Sequence, residues 1–293
     1  MNLPHFLIAG APKSGTTSLY RILSQHPQIF LPEVKELHYF DNEEYFSNGI
    51  NWYASHFQNA RHNQICGECT AAYLYYPGVP SRMKSALGDE LRIIFILRNP
   101  VDRAYSEYLH NYRRGLIHED TFEKAIESEF KNQSLPLFDR RHFSYISRGW
   151  YSRYLKNYFQ VFSREQVLIL LFEEDFLHNP EQTISKILSF IGADQKKLNM
   201  NIKANEAYYP VSRKLGSLTV KKNPLRTALR KVIPSYQSRM TIRNFIRKYN
   251  RIKGKQFPEL SPYEKTEIFN KYFQEDVLQL ESLLQKPVDS WKR

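Results

Sequence analysis

Little in this chain favours a disulfide, a metal cage or a membrane span. Only two of the 293 residues are cysteine, Cys66 and Cys69, and no second cysteine pair or nearby histidine pair completes a zinc ligand set. The motif Cys-Gly-Glu-Cys does not open a helix after a thioredoxin-like strand, so reduced thiols are expected. No apolar run approaches the roughly 18 residues of a membrane span. About five residues precede the first strand signal, which leaves no room for a signal peptide, and a cytoplasmic location is expected. There is no internal repeat or disordered linker. No recognised nucleic-acid module is present, so nucleic acid is not an expected partner.

Acidic residues are missing from one region. Between Ala207 and Pro258 there is no Asp or Glu, and there are 14 Lys or Arg. The net charge of +12 is therefore regional, since the remaining 28 basic and 30 acidic residues nearly cancel. Leu225, Leu229, Val232 and Ile233, then Phe245, Ile246, Tyr249 and Ile252, are spaced for two amphipathic helices split near Pro234. A solvated basic face, an anionic membrane surface met through residues 221–255 at the inner face of a membrane, and a polyanionic acceptor all fit this composition.

What is present is a large globular chain, 42% hydrophobic and 14% aromatic. Its organising stretch runs from Phe6 to Leu19. Leu7, Ile8 and Ala9 read as a buried strand, Gly10 and Gly15 permit tight turns, and Thr16 to Gln25 continue as a helix with Leu19, Ile22 and Leu23 inward. Such a strand, loop and helix aim backbone N–H groups and the positive helix end at an anion. The spacing Gly10-x-x-x-x-Gly15 is that of a nucleotide P-loop, but Thr16 stands where that motif demands lysine, and the only lysine is Lys13. An intact ATP-binding motif with its Mg²⁺ ligands is therefore not present.

Pro12-Lys13-Ser14-Gly15-Thr16-Thr17 resembles the 5′-phosphosulfate loop of the sulfotransferase family, whose donor is 3′-phosphoadenosine 5′-phosphosulfate (PAPS). A second stretch supports the resemblance. Leu91 to Leu97 is β-branched and apolar, bounded by Gly88-Asp89 and Asn99-Pro100, and reads as a buried strand ending at Arg98. Pro100 can open a helix carrying Val101, Ala104, Tyr105, Tyr108 and Leu109 at helical spacing. Arg98 through Ser106 looks like the family's 3′-phosphate signature, in which the leading Arg and a Ser eight residues on bind one phosphate.

By residue type, Glu36 and His38 in Lys35-Glu36-Leu37-His38-Tyr39-Phe40 could share a side if the segment is extended. Heparan-sulfate-type sulfotransferases carry a similar stretch, and there the glutamate is the catalytic base. The resemblance gives that role to Glu36, with His38 as an acceptor-contacting group or the alternative base. Gly67 to Leu74 is similar to an acid-x-Ser/Thr-Pro-x-Tyr segment, but Ala71 replaces its proline and Cys69 a lysine found in some members. Tyr208 to Lys214 is similar to a cofactor-closing loop, which makes Arg213 and Lys214 phosphate contacts.

Asp41 to Phe57 reads as one amphipathic helix, Tyr151 to Phe162 as a helix, Gln166 to Phe172 as a strand and Pro180 to Ile191 as a helix. Thr121 to Phe143 is polar and helix-like. The last helix opens at Ser261-Pro262, buries Phe269, Tyr272, Phe273, Val277, Leu280 and Leu283, and is followed by Trp291. Alternating strands and helices predict an α/β chain, a P-loop-like three-layer α/β/α fold with a central parallel sheet. The resemblance implies a single domain over 1–293, with a basic, mostly helical insertion at about 216–256. It further implies a bacterial PAPS-dependent enzyme sulfating a hydroxyl or amine and releasing 3′,5′-ADP without a metal, with Lys13, Ser14, Gly15, Thr16, Thr17 and Ser18 on the phosphosulfate. The expected acceptor is a saccharide or glycolipid, with small phenols as an alternative. The rivals are a degenerate P-loop kinase using ATP and Mg²⁺, and a non-catalytic polyanion-binding adaptor.

Overall fold

Five short parallel strands carry the chain's most apolar sequence, and each runs into a loop on the same side of the sheet. In the computed structural model they are β1 (Phe6–Gly10), β2 (Ile29–Phe30), β3 (Ile65–Cys69), β4 (Arg92–Leu97) and β5 (Val167–Leu171), in the order β2-β3-β1-β4-β5. The structure describes residues 1–117, 119–132, 134, 143–202, 209–218, 238, 242, 245, 249–252, 255 and 257–292. β1 lies between β3 and β4, with Ile8 level with Cys69 on one side and Ile94 on the other. Chain order departs from spatial order at β1, and in open parallel sheets the crevice beyond such a strand is where ligands bind.

Both faces of the sheet are covered, because every strand but β2 is almost wholly buried. One face joins Phe6, Ile8, Ile94, Ile96, Leu168 and Leu170 to Leu19, Ile22 and Leu23 of α1 (Thr16–Leu23) and to Ile184, Ile187, Leu188 and Ile191 of the helix Pro180–Ile191. On the other face Phe95 meets the edge of Tyr158 from the helix Tyr151–Phe159 at 4.8 Å. The three-layer expectation therefore holds, and the helices at 151 and 180 begin where the sequence places them.

Several elements differ from their sequence reading. Asp41 to Phe57 is not one helix: α2 (Glu43–Phe46) and α3 (Gly49–Ala54) are separated by a reversal at Gly49, which has φ +79°. α1 ends at Leu23, two residues early, and the run after β5 is wound as a wide helical turn over Phe172–His178. The final helix is two, Pro262–Tyr272 and Gln274–Leu284, broken where Phe273 leaves helical backbone geometry while its ring is fully buried. Tyr272 and Leu283 are only half-buried. At Ser261 the expected cap is present, with Glu264 accepting from its backbone N–H at 2.8 Å and its hydroxyl at 2.6 Å.

The chain forms two compact units. The first comprises 1–103, 150–204 and 269–293 and holds the sheet; the second comprises 104–149 and 205–268. α4 (Val79–Leu87) lies in the first, α5 (Pro100–Arg113) starts there and continues into the second, and α6 (Phe122–Lys131) lies in the second. The Glu129 carboxylate accepts the N–H groups of Tyr145, Ile146 and Ser147 and so pins the return of the chain in the second unit. Of the basic segment, Leu225, Leu229, Val232, Ile233, Pro234 and Ile246 lie outside the described residues, as does Tyr208. Phe245 and Tyr249 are described and exposed, with their rings 4.4 Å apart. Among the described residues no helix is long and apolar enough to cross a membrane.

Candidate active site

The loop after β1 is shaped by its own backbone. Ala11 still donates to Ile96 of β4 at 2.8 Å, Ser14 donates back to Ala11 at 3.2 Å, and the helix starts at once from Gly15. Lys13 and Gly15 are left-handed, with φ 71° and 91°. Such backbone costs about 1–3 kcal/mol at a non-glycine residue and marks functional loops. The first N–H groups of α1 have no intrahelical partner, no side chain caps the helix and no acidic residue sits in its first turn, so its positive end is left for a ligand. Ser14 and Thr16 are buried, and Lys13, Gly15, Thr17 and Ser18 are half-buried along the rim.

Arg98, at the end of β4, turns back to this loop, where its Nη1 donates to the Lys13 carbonyl at 3.2 Å. Its guanidinium lies 5.4 Å from the centre of the Phe172 ring, and a methyl group at Gly15 would come within 2.9 Å of the same ring. Arg98, Phe172 and the loop thus enclose one recess. Ser14 Oγ and Arg98 Nε are both buried there and have no hydrogen-bond partner among the described residues. Two orphaned donors beside a helix N-terminus fit a group rich in anionic oxygens. Arg98 is braced from behind: Tyr151 donates to its carbonyl at 2.8 Å, Asn99 N–H donates to Glu173 at 3.0 Å, and Trp291 closes the loop by donating to Glu173 at 2.9 Å.

A second group of side chains lies over the end of β3. Glu36 donates its N–H to the Cys69 carbonyl at 3.0 Å, and its carboxylate accepts the Ala71 N–H at 3.2 Å and the Lys35 ammonium. His38 Nδ1 is 2.9 Å from the Asp41 carboxylate, and its Nε2 is 3.9 Å from Glu36 Oε2. The segment is not extended, since Glu36 and His38 are left-handed at φ 64° and 54°, yet the two side chains do meet. Burial would lower the His38 pKa, but the hydrogen bond and charge of Asp41, with Glu36 and Glu68 behind it, hold it above the ordinary value. Burial works against Lys35 in the same way, and Cys69 and Glu36 overcome it.

Cys69 joins the halves. Its thiol donates to the Thr16 carbonyl in the first turn of α1 at 3.7 Å, and its carbonyl holds Glu36. Neither cysteine is in a disulfide; both are buried, and burial raises Cys69 to about 12 even though Lys35 opposes it. As expected, then, these are reduced thiols. Three residues apart on one strand, their side chains point to opposite faces.

The structure thus brings together Lys13, the loop through Ser18 and Arg98, and separately Glu36 with His38, all within the first unit. Ser106 is on α5 in the second unit, half-buried. Arg213 and Lys214 open the helix Arg213–Leu218 of the second unit, where Arg213 pairs with Asp120 at 3.2 Å and lies over the Tyr112 ring at 4.8 Å. Sequence reasoning missed Asp41, Phe172, Glu173 and Glu68 as parts of these networks. The available signals were Asp41 three residues after His38, and Glu68 as a charge in the middle of a buried strand.

A recess for phosphate-type oxygens thus lies at the end of β1, and a carboxylate and an imidazole lie over the end of β3. The sequence model of the family described as the sulfotransferase domain matches residues 3–281, and the chain belongs to that family. It is 30% identical over 191 residues to heparan sulfate glucosamine 3-O-sulfotransferase 3B1 of Homo sapiens, covering 65% of this chain and 46% of that protein. It is 39% identical over 109 residues to the membrane-associated sulfotransferase kil1 of Dictyostelium discoideum, covering 36% and 22%. This chain therefore spans less than half the length of either relative. Among solved structures, a sulfotransferase from Alicyclobacillus acidocaldarius superposes over 100% of both chains with a TM-score of 0.72 at 27% identity.

Proposed function

We infer that the chain transfers a sulfuryl group from PAPS to an acceptor hydroxyl or amine and releases 3′,5′-ADP. The observation that carries this reading is the recess itself, with Ser14 Oγ and Arg98 Nε buried and unpartnered beside an uncapped helix start. PAPS, when bound, supplies the activated sulfuryl group. Lys13 and the free N–H groups at the start of α1, those of Thr16 and Thr17, face the phosphosulfate with the Ser14 hydroxyl and offset negative charge growing on the leaving phosphate. Arg98 holds the 3′-phosphate. Glu36 takes the proton from the acceptor, with its carboxylate oriented by Ala71 N–H and Lys35. His38, fixed by Asp41 at Nδ1, presents Nε2 beside it and is the second base. Catalysis then rests on positioning and charge complementarity, as in phosphoryl transfer.

Titration calorimetry with 3′,5′-ADP and with ATP, each with and without Mg²⁺, tests this. Metal-independent binding of 3′,5′-ADP that is lost in Arg98→Ala is the expected result. A preference for ATP with Mg²⁺ would instead make the chain a kinase, and binding of neither nucleotide would leave a polyanion-binding adaptor.

The acceptor class we infer is a saccharide, free in a polysaccharide or carried on a glycolipid. The name of the human relative supports it, as does the basic character of residues 207–258. A second reading concerns location: exposed Phe245 and Tyr249 within an acid-free, basic stretch suit peripheral docking on the anionic inner surface of a membrane. Co-sedimentation with anionic but not neutral vesicles, lost in Phe245→Ser/Tyr249→Ser, is the expected outcome, and equal recovery with both vesicle types would refute it.

A further inference from the structure

Glu68 takes no part in the steps above, yet it is a deeply buried carboxyl group beside them. It stands within β3 with 1% of its surface exposed, where a carboxylate is costly unless its oxygens are fully hydrogen-bonded. Three hydroxyls surround it. Tyr53 donates to Oε2 at 2.8 Å, Tyr73 donates to the same oxygen at 3.0 Å, and Thr70 donates to Oε1.

A hydroxyl that has given its only proton to Glu68 can act on its other side only as an acceptor. Two of the three do so toward the segment that carries the base. Thr70 Oγ1 accepts the His38 N–H at 3.4 Å, and the Tyr73 hydroxyl accepts the Tyr39 N–H at 3.0 Å. The ring of Tyr53 stacks on Tyr39 at 4.4 Å with 12° between planes, so the third hydroxyl's residue backs the same segment. His38, in left-handed backbone, is one of the two residues held in this way, and Glu36 lies two residues before it.

We propose that Glu68 is a positioning residue for the proton-accepting pair: a buried carboxyl group that in its ionised form sets the direction of three hydroxyls and, through two of them, the backbone of residues 38 and 39. The proposal rests on the assignment of Glu36 and His38 made above. A glutamine at this place has the same shape but must donate from its amide. One hydroxyl would then accept from that amide, turn its own proton toward apolar surroundings and lose its hold on a backbone N–H. The phosphate loop shares none of these bonds.

The test uses the full chain as Glu68→Gln and as Tyr73→Phe, the latter keeping the Glu68 carboxyl group while removing one of its three donors and the acceptor for Tyr39. Amide hydrogen exchange at His38 and Tyr39 is expected to quicken about tenfold, the equivalent of one lost hydrogen bond. The His38 ring, followed by NMR through its titration, is expected to shift its midpoint in Tyr73→Phe. Affinity for 3′,5′-ADP is expected to stay within about threefold of the parent, since a one-bond change elsewhere does not reach the loop. Unchanged exchange and an unchanged His38 titration in folded variants would overturn the proposal, and so would equal loss of 3′,5′-ADP affinity. Should Glu68→Gln not fold, Tyr73→Phe decides alone. Failure of the base assignment reads differently: Glu36→Gln and His38→Gln would each keep full turnover while the exchange at residues 38 and 39 still answers to Tyr73.

Discussion

The two halves of the site are built by different means. The phosphate side is local: nine consecutive residues from Gly10 to Ser18 make the turn, the left-handed positions and the helix start, and Arg98 is its main distant contributor. The base side is assembled across the sequence, with Glu36 and His38 held by residues 32 to 35 positions away on and after β3. A local device tolerates change elsewhere in the fold and is sensitive to its own backbone. A distributed one is sensitive to hydrogen bonds between residues that never touch the reaction.

The largest effects should fall on the reacting groups and mark the two halves separately. Glu36→Gln should lower turnover by about 10²–10⁴-fold while 3′,5′-ADP affinity stays near normal, as calorimetry and initial rates would show. Near-normal turnover would remove Glu36 as base. Lys13→Ala should cost about 10²–10³-fold in turnover with the fold retained, and an unchanged rate would show that the helix start alone carries the phosphate side.

Next come changes to the frame of each half. Gly15→Ala combines a φ of 91° with a contact of 2.9 Å to Phe172, so it should cost about 1–3 kcal/mol of stability in chemical unfolding. Partial recovery in Gly15→Ala/Phe172→Leu would assign part of that cost to the ring, and no recovery would assign it to the backbone. Trp291→Phe removes the donor to Glu173 together with part of a buried ring packed on Tyr151, and should cost about 1–3 kcal/mol, read as weaker 3′,5′-ADP binding if the brace behind Arg98 matters.

The smallest effect is on pH dependence. Burial raises Glu68 to about 7, against about 4.3 for a free glutamate. Between those values the folded chain keeps a proton that the unfolded chain has released, so stability should fall as pH rises through this window and flatten above it. His38, raised by Asp41, contributes a decline of the same sign above the ordinary histidine value. Thermal unfolding from about pH 5 to about pH 8 in the parent, Glu68→Gln and His38→Gln separates the two. A limb that Glu68→Gln leaves untouched would show that Glu68 is ionised throughout.

Strand and helix signals in the sequence were strongest where one element buries a whole face. Leu91 to Leu97, the helix from Pro180 to Ile191 and the strand before Gly10 could be read in advance because uninterrupted apolar runs and helical spacing leave few other places to put them. The breaks at Gly49 and Phe273 were not readable, since in both cases a local helical pattern yields to tertiary packing of aromatic rings such as Tyr53 and Phe273. Candidate residues followed the same division. Lys13 to Ser18 and Arg98 lie where the motifs put them, whereas the link of His38 to Asp41, the wall made by Phe172 and the hub at Glu68 depend on who arrives beside them.

By itself, then, the sequence determined the parallel sheet, the phosphate-type loop and the choice of Lys13, Arg98, Glu36 and His38 as the groups of interest, because each is written in contiguous residues with a fixed spacing. The tertiary structure alone decided that Glu36 and His38 meet through left-handed backbone rather than an extended strand. It also decided that Cys69 ties their loop to α1, and that a buried carboxylate orders the hydroxyls beneath them. Those outcomes come from hydrogen bonds between distant residues, whose energies exist only once the sheet has brought their partners together.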